Sequence, residues 1–310
     1  MNKRDNLLAL AFSPGTEEYI PAAFFMHFEQ AYHQGQAAID KHVEFFRYTD
    51  MDLVKVQYEQ NPPPTRPIRD PQDWQNAPRY SQEFFEPTIA VVKGLVKALK
   101  KEALVILTVY SPFMWAVHLT DETTFDEHLR EYPDKVKQGM QIMSENVINL
   151  VRGCMRVGVD GFYVSTQGGE GHRYGGTEAF SQIIKPSDLA VWDEIRSCDF
   201  NILHICDYEG GYEDLTPFLD YPGQVVNCSL QVGNRTFTPA EAAGFFKRPF
   251  MGGLERKGVI ARGSLEEIRR EVNRILEQAS EGFFLAADCT VPNNTPWENL
   301  RVAVETAHQQ

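Results

Sequence analysis

Short apolar runs alternate with helical patterns along nearly the whole chain. Each run is bounded by polar or turn-forming positions, which predicts a strand. The predicted strands are Pro21–His27, Asp52–Tyr58, Ala103–Val109, Asp160–Ser165, Phe200–Cys206, Gln224–Cys228, Pro249–Gly252 and Gly282–Ala287. Eight strands that alternate with helical or loop sequence are the count of a (β/α)8 TIM barrel.

The helices between these runs are marked by apolar residues at helical spacing. A capping box, Ser264 with Glu267, predicts the start of one helix. Pro296 stands at the first position of another, where its missing N–H leaves no hydrogen bond unmade. The predicted helices are Phe84–Leu99, Pro133–Val157, Ser264 to about Ala279, and Pro296–His308.

These elements predict a single α/β domain over residues 1–310, with the fold of a (β/α)8 barrel. A doubly wound open sheet is the competing fold. Against it, no glycine-rich phosphate-binding fingerprint follows the first strand, and none follows the others convincingly. The segment Asn61–Arg79, rich in proline and arginine, is predicted as a long polar loop over the mouth of the barrel.

Composition narrows the class of protein. The net charge of -13 argues against sequence-independent binding to nucleic acid or to an anionic membrane surface. No apolar run approaches the roughly 18 residues of a membrane span, and no signal-peptide pattern is visible. The sequence therefore predicts a cytoplasmic protein, in which the five cysteines are thiols or metal ligands rather than disulfides.

His204 and Cys206 are the most informative residues for chemistry. Alternation along a strand places both side chains on one face. Cys289 follows the last predicted strand, so its thiol meets the same end of the barrel. One imidazole and two thiolates form a ligand set for a catalytic zinc with an open fourth position. The alternative is that the cysteines are small buried residues beside a hydrogen-bonded histidine.

Other polar residues end the predicted strands or follow them, where a barrel carries its catalytic groups. His27 is a candidate proton shuttle, although a histidine at the end of an apolar strand is often structural. Glu255 is a candidate base or fourth metal ligand, or only a surface partner of Arg256. The glycine-rich segment 167–176 is predicted as a mobile loop over the mouth, with Arg173 meeting an anionic substrate group. The remaining polar positions of this kind are Tyr58, Tyr110, Ser165, Gln167 and Asn227.

Several stretches resemble the uroporphyrinogen decarboxylase superfamily, in the order in which that superfamily carries them. The resemblance runs over nearly the whole chain and implies a single (β/α)8 barrel with its active cleft at the carboxyl face of the sheet. The stretches are Ser111-Pro112, Gly158–Gly161, Leu203–Cys206, Gly252–Glu255, Gly263–Ile268 and Gly282–Leu300.

The superfamily holds two chemistries. Its decarboxylases need no metal and grip an acidic tetrapyrrole with an arginine-rich N-terminal stretch, yet the matching segment Ile20–Gln36 contains no arginine. Its other branch contains methyltransferases that work with corrinoid proteins and bind zinc through His-x-Cys and a distant cysteine. His204, Cys206 and Cys289 match those positions, so the sequence resembles the methyltransferase branch.

The resemblance implies that zinc activates a thiolate or a similar nucleophile, which takes a methyl group from a corrinoid on a partner protein. The nucleophile belongs to a small-molecule methyl acceptor, which the polar residues at the mouth would orient. The reverse reaction, in which a methylated small molecule gives its methyl group to the corrinoid, stays open. Two alternatives also stay open: a uroporphyrinogen decarboxylase or related decarboxylase of tetrapyrrole synthesis, and a barrel that only binds a ligand or a partner protein.

Overall fold

The computed structural model describes residues 2–12, 20–60 and 66–309. Its centre is a curled, entirely parallel sheet of seven strands, ordered β1-β2-β3-β4-β5-β8-β9. The seven strands are β1 Leu53–Val56, β2 Leu104–Tyr110, β3 Gly161–Thr166, β4 Ile202–Ile205, β5 Val225–Cys228, β8 Phe250–Leu254 and β9 Phe284–Ala287. A two-stranded antiparallel hairpin, β6 Gln231–Val232 and β7 Arg235–Thr236, lies between β5 and β8 in the chain.

α-Helices connect most consecutive strands of the sheet, whereas between β4 and β5 there is only a short 3-10 helix, Thr216–Phe218. The α-helices are α1 Lys3–Phe12, α2 Gly35–Thr49, α3 Gln82–Leu99, α4 Pro112–Leu119, α5 Glu122–Glu131, α6 Pro133–Arg156, α7 Lys185–Ile195, α8 Pro239–Phe246, α9 Val259–Arg262, α10 Leu265–Leu276 and α11 Trp297–His308. The four predicted helices correspond to α3, α6, α10 and α11. The capping box is present before α10, where Ser264 and Glu267 exchange side-chain and backbone hydrogen bonds.

The predicted first strand, Pro21–His27, is wrong. In this segment only Ala22 forms a bridge, with Leu285 of β9. Pro21 has no N–H, and the Ala22 N–H donates to the Asp52 carboxylate at 2.7 Å, so neither continues a ladder. The Asp52 N–H nevertheless donates to the Ala22 carbonyl at 2.9 Å. The segment thus bridges the two edges of the seven-stranded sheet, which is not a closed eight-stranded barrel.

The parallel register brings the carboxyl ends of the strands to one level. Ser165 pairs with His204, His204 pairs with Asn227, and Asn227 pairs with Met251. The strands themselves are buried on both faces, as helix-covered parallel sheets are. Polar side chains at this level therefore converge over one end of the sheet.

The predicted loop Asn61–Arg79 lies partly outside the described residues, which omit 61–65. In the described part, Pro71–Asn76 forms a short 3-10 helix whose Trp74 is buried and donates to His128 at 3.1 Å. Within ranges 2–12, 20–60 and 66–309, no helix has both the length and the apolar character to cross a membrane.

Candidate functional site

A large cavity opens at the carboxyl ends of the strands, the end where parallel-sheet enzymes carry their chemistry. Its volume is about 1020 Å³. The walls are mixed: apolar residues such as Phe113 and Met114 stand beside charged and hydrogen-bonding groups. His204, Cys206 and Cys289 line this cavity.

The three predicted metal ligands meet. One potential ligand atom from each of His204, Cys206 and Cys289 lies within 4.8 Å of the other two, and all three residues are buried. The two sulfur atoms are 4.0 Å apart. His204 lies on β4 and Cys206 follows directly, so strand alternation aims both side chains at the cavity. Cys289 reaches the same point from the turn after β9.

The His204 ring is held by packing and not by hydrogen bonds. Both ring nitrogens are buried and lack a hydrogen-bond partner of good geometry among the described residues. Its ring stacks on the Tyr163 ring, whose hydroxyl donates to Asn227 at 2.5 Å. Buried polar atoms normally have partners. An unpartnered imidazole beside two thiols therefore fits a tetrahedral metal ion such as zinc.

Cys206 differs electrostatically from Cys289 and from the other buried thiols. The hydrogen bond with Cys289 and the neighbouring His204 hold the pKa of Cys206 well below its usual range. The same hydrogen bond, together with burial, raises the pKa of Cys289. Burial raises the pKa of Cys154 and Cys228, which lie elsewhere. One thiol of the pair is therefore prepared to become a thiolate, the form that binds metals.

A hydrogen-bonded chain reaches Cys206 from the rim of the cavity. The Gln167 amide donates to the Cys206 sulfur at 3.6 Å, and Arg173 donates to the Gln167 carbonyl oxygen at 3.4 Å. Arg173 is itself held by Glu170 at 2.9 Å and by Glu122. Since both carboxylates neutralise Arg173, it positions Gln167 and is not free for an anionic substrate group, which corrects the role predicted from the sequence.

A buried ion cluster joins the two segments that carry the cysteines. Arg256 contacts Asp207 at 2.5 Å and Asp288 at 3.7 Å. The Asp288 carboxylate also accepts the Arg256 backbone N–H at 2.9 Å. Burial and the neighbouring Asp207 raise the pKa of Asp288 to about 6. Asp207 follows one cysteine and Asp288 precedes the other, so this cluster fixes the spacing of the thiols.

Lys55, Gln57 and His27 form a second polar group on the cavity wall. Lys55 donates to the Gln57 carbonyl oxygen at 2.7 Å, which leaves the Gln57 amide nitrogen to donate to His27 Nε2 at 2.9 Å. His27 therefore carries its proton on Nδ1, which donates to Glu59 at 2.9 Å. Burial lowers the pKa of Lys55 to about 7.

Comparison with known proteins gives the family. A family model described as uroporphyrinogen decarboxylase (URO-D) matches residues 49–310. The chain belongs to the uroporphyrinogen decarboxylase family. No curated protein matches the sequence of this family member.

Two solved structures resemble this uroporphyrinogen decarboxylase family member over nearly its full length. A methyltransferase from Methanosarcina mazei has a TM-score of 0.78 at 13% identity, covering 100% of this chain and 99% of that one. A B12-independent methionine synthase from Shewanella sp. W3-18-1 in complex with selenomethionine has a TM-score of 0.51 at 12% identity, covering 94% and 95%. At such identities the likeness establishes the fold.

The other predicted site residues of this family member lie either in the lining of the cavity or outside it. His27, Tyr110, Ser165 and Gln167 line the cavity. Outside its lining are Tyr58, Asn227 and Glu255.

Strand alternation accounts for Tyr58, whereas buried hydrogen bonds account for Asn227, which pairs in register with His204. Lys55 and Gln57 face the cavity, so Tyr58 points into the packing around Tyr110 and Trp115. Asn227 is buried, and its amide bonds two backbone carbonyls. Glu255 is exposed beyond the end of β8.

Sequence reasoning missed Lys55 and Gln57. The available signal was two polar residues at alternate positions, one of them inside the apolar run that became β1.

Proposed function

We propose that this protein is a zinc-dependent methyltransferase that moves a methyl group between a small molecule and a corrinoid carried by a partner protein. The observation that carries the proposal is the convergence of His204, Cys206 and Cys289, with both imidazole nitrogens unpartnered among the described residues. The fold likeness to the Methanosarcina mazei methyltransferase supports the same class of reaction. We infer that the curled seven-stranded sheet, with the bridge at Ala22 in place of a first strand, is a reduced form of the (β/α)8 barrel.

His204, Cys206 and Cys289 would hold the ion. When bound, zinc would lower the pKa of a coordinating substrate thiol so that a thiolate exists near neutral pH. The protein's own residues prepare this position: Gln167 donates to the Cys206 sulfur, and the burial of the three ligands excludes water. Tyr110 and Ser165 line the cavity beside them and would orient the small molecule.

His27 is proposed as the group that takes up the substrate proton. Its Nδ1 proton is held on Glu59, which leaves Nε2 as the basic atom. Nε2 meets only the Gln57 amide among the described residues, a neutral donor that can be exchanged for a substrate or water proton donor. A carboxylate on the far nitrogen orients the imidazole and fixes its tautomer, as in other histidine–carboxylate pairs.

Uroporphyrinogen decarboxylation has less support from the cavity. A tetrapyrrole with many carboxylates needs several free cations, preferably arginines that bind them bidentately. Two of the three arginines that line the cavity among the described residues, Arg173 and Arg256, are already paired with carboxylates of the protein, so they are not free to bind a tetrapyrrole carboxylate bidentately. A conversion assay with uroporphyrinogen tests this alternative directly.

The first experiment measures the metal content of the purified protein and of Cys206→Ser and Cys289→Ser. We expect about one zinc per chain, lost in both variants, because removing a metal ligand weakens the site. Cys228→Ser is the matched control: it is buried at the end of the neighbouring strand β5 and is not part of the cluster. A protein that takes up no zinc, or variants that retain it, would refute the proposal.

Zinc-loaded protein is then assayed for methyl transfer with a methylated corrinoid and a panel of thiols. Transfer that requires all three ligands and is retained by Cys228→Ser is the expected result. Zinc binding without any transfer in either direction would contradict the assignment of the reaction while leaving the metal site in place.

A further inference from the structure

The cavity contains a buried cation that the described part of the chain does not neutralise. Lys55 is 6% exposed and lines the cavity. No carboxylate in residues 2–12, 20–60 or 66–309 lies within ion-pair distance of its Nζ. Arg173 and Arg256, two other largely buried cations of the wall, are each paired with two carboxylates. An unpaired buried charge is costly, so an anion that enters the cavity beside Lys55 would stabilise its protonated form.

The Lys55 ammonium is also held in place before any ligand arrives. It donates to the Gln57 carbonyl oxygen at 2.7 Å, and Gln57 is fixed in turn by His27. Its Nζ lies 4.4 Å from the centre of the Phe25 ring and 4.5 Å from that of Tyr163. Since an ammonium has three donors, and one is used, the others are available to an acceptor in the cavity.

The thiolates of Cys206 and Cys289 do not account for this cation. If zinc occupies the three-ligand group, as the proposed function requires, its two positive charges balance the two thiolates. The positive charge of Lys55 then has no counter-charge among the metal ligands. The Tyr163 ring contacts both the Lys55 ammonium and the His204 ring, so the cation and the metal ligands border the same part of the cavity.

We propose that Lys55 is the specificity residue for an anionic group on the methyl acceptor or donor, so that the substrate is a small acid bound at both ends. The inference rests on the proposed function for the end that meets the metal ligands. The same geometry disfavours a quaternary ammonium substrate, because Lys55 already occupies the two aromatic faces that would receive it.

The test is calorimetric titration of zinc-loaded protein with two thiols of equal length, 3-mercaptopropionate and 3-mercaptopropan-1-ol. We expect the carboxylate to bind at least about tenfold more tightly, since hydrogen bonds to charged groups are the stronger ones. In Lys55→Met the difference should fall to about twofold or less. Methionine has a similar length and is apolar, so it fits between the rings, and Lys55→Gln provides a second neutral side chain.

Lys257→Met is the matched control, because Lys257 lines the same cavity but is exposed. It should keep the preference for the carboxylate. Equal affinities in the wild type, or a preference that survives in Lys55→Met, would overturn the inference. Failure of the proposed function has another signature, namely absence of zinc and thiol affinities unchanged in Cys206→Ser. In that event butyrate and butan-1-ol are compared instead. The role of Lys55 is then decided by whether the wild type prefers the carboxylate and whether Lys55→Met loses that preference.

Discussion

The aromatic ring of Tyr163 stacks on the imidazole of His204, with centroids 4.7 Å apart and planes inclined by 27°. The ring is anchored at its far end, where the Tyr163 hydroxyl donates to Asn227. Asn227 in turn donates to the carbonyls of Met251 and Ala287, on β8 and β9. The orientation of one metal-ligand candidate is therefore set by a side chain from β3 and by a buried amide from β5.

Two replacements of Tyr163 distinguish the stacking of its ring on His204 from the hydrogen bond of its hydroxyl to Asn227. Tyr163→Ala removes the stacked ring and should weaken zinc binding by about 10–100-fold, the range found for residues that orient metal ligands. Tyr163→Phe keeps the ring, so it should retain zinc while losing about 1–3 kcal/mol of stability through the unpaired Asn227. Competition with a chelator and urea denaturation measure the two quantities. Equal zinc affinity in both variants would show that the stack does not orient His204.

Gln167 is expected to tune the affinity of the proposed metal site. Gln167→Leu removes the hydrogen bond to the Cys206 sulfur and leaves Arg173 without that acceptor. Zinc affinity should fall by about tenfold, at the low end of the effects of outer residues. In the cobalt-substituted protein, the sulfur-to-metal charge-transfer bands should shift. Ser165→Ala, a change in the same cavity wall, should leave both quantities unchanged.

The lowered pKa of buried Lys55 predicts that the free energy of unfolding depends on pH in a range where lysines usually have no effect. Burial lowers its pKa from 10.5 to about 7, while nearby Cys289, Glu59 and Cys206 oppose the shift. Between pH 7 and pH 10 the unfolded chain keeps this proton and the folded chain has lost it, so stability rises with pH. Below pH 7 both states are protonated and the full desolvation penalty applies.

Lys55→Met should therefore be more stable than the wild type at pH 6, and its advantage should shrink as pH rises. The expected slope is up to about 1.4 kcal/mol per pH unit, the value for one unmatched proton. Urea denaturation of both proteins at pH 6 and pH 9 measures it. A difference in unfolding free energy that is equal at the two pH values would contradict the prediction.

Gly161, the first residue of β3, is predicted to be irreplaceable for packing. A Cβ added there would lie 1.9 Å from the backbone oxygen of Phe200, which cannot move without distorting the approach to β4. Gly161→Ala should lower the free energy of unfolding by about 3 kcal/mol, the upper range for overpacking. At Gly244 in α8, an added Cβ would meet no described atom within 4 Å. Gly244→Ala should instead stabilise the protein by about 0.5–1 kcal/mol.

Much of this arrangement was predictable from local patterns. Apolar runs located the seven strands of the parallel sheet, and the Ser264 capping box located α10, because both signals depend on neighbouring residues alone. The sequence also predicted that His204, Cys206 and Cys289 would meet, since parallel strands end at one level. The structure brings them within ligand distance of one another.

Long-range contacts explain what the sequence did not reveal. Pro21–His27 has the composition of a strand, but the Asp52 carboxylate takes the Ala22 N–H that a ladder would need. Tyr58 was predicted at the mouth because the register of β1 was unknown. With Lys55 facing the cavity, alternation turns Tyr58 away. Arg173 was predicted to bind an anionic substrate group, but it pairs with two carboxylates that only the folded chain brings close to it.

The bridge between Ala22 and Leu285 also bears on the order of folding. Its two residues lie far apart in the sequence, and contacts so distant in sequence form late. Until β9 arrives, the edge of β8 lacks its neighbour, and Cys289, just beyond β9, has not joined His204 and Cys206. The three candidate metal ligands therefore come together only once β9 has joined the sheet.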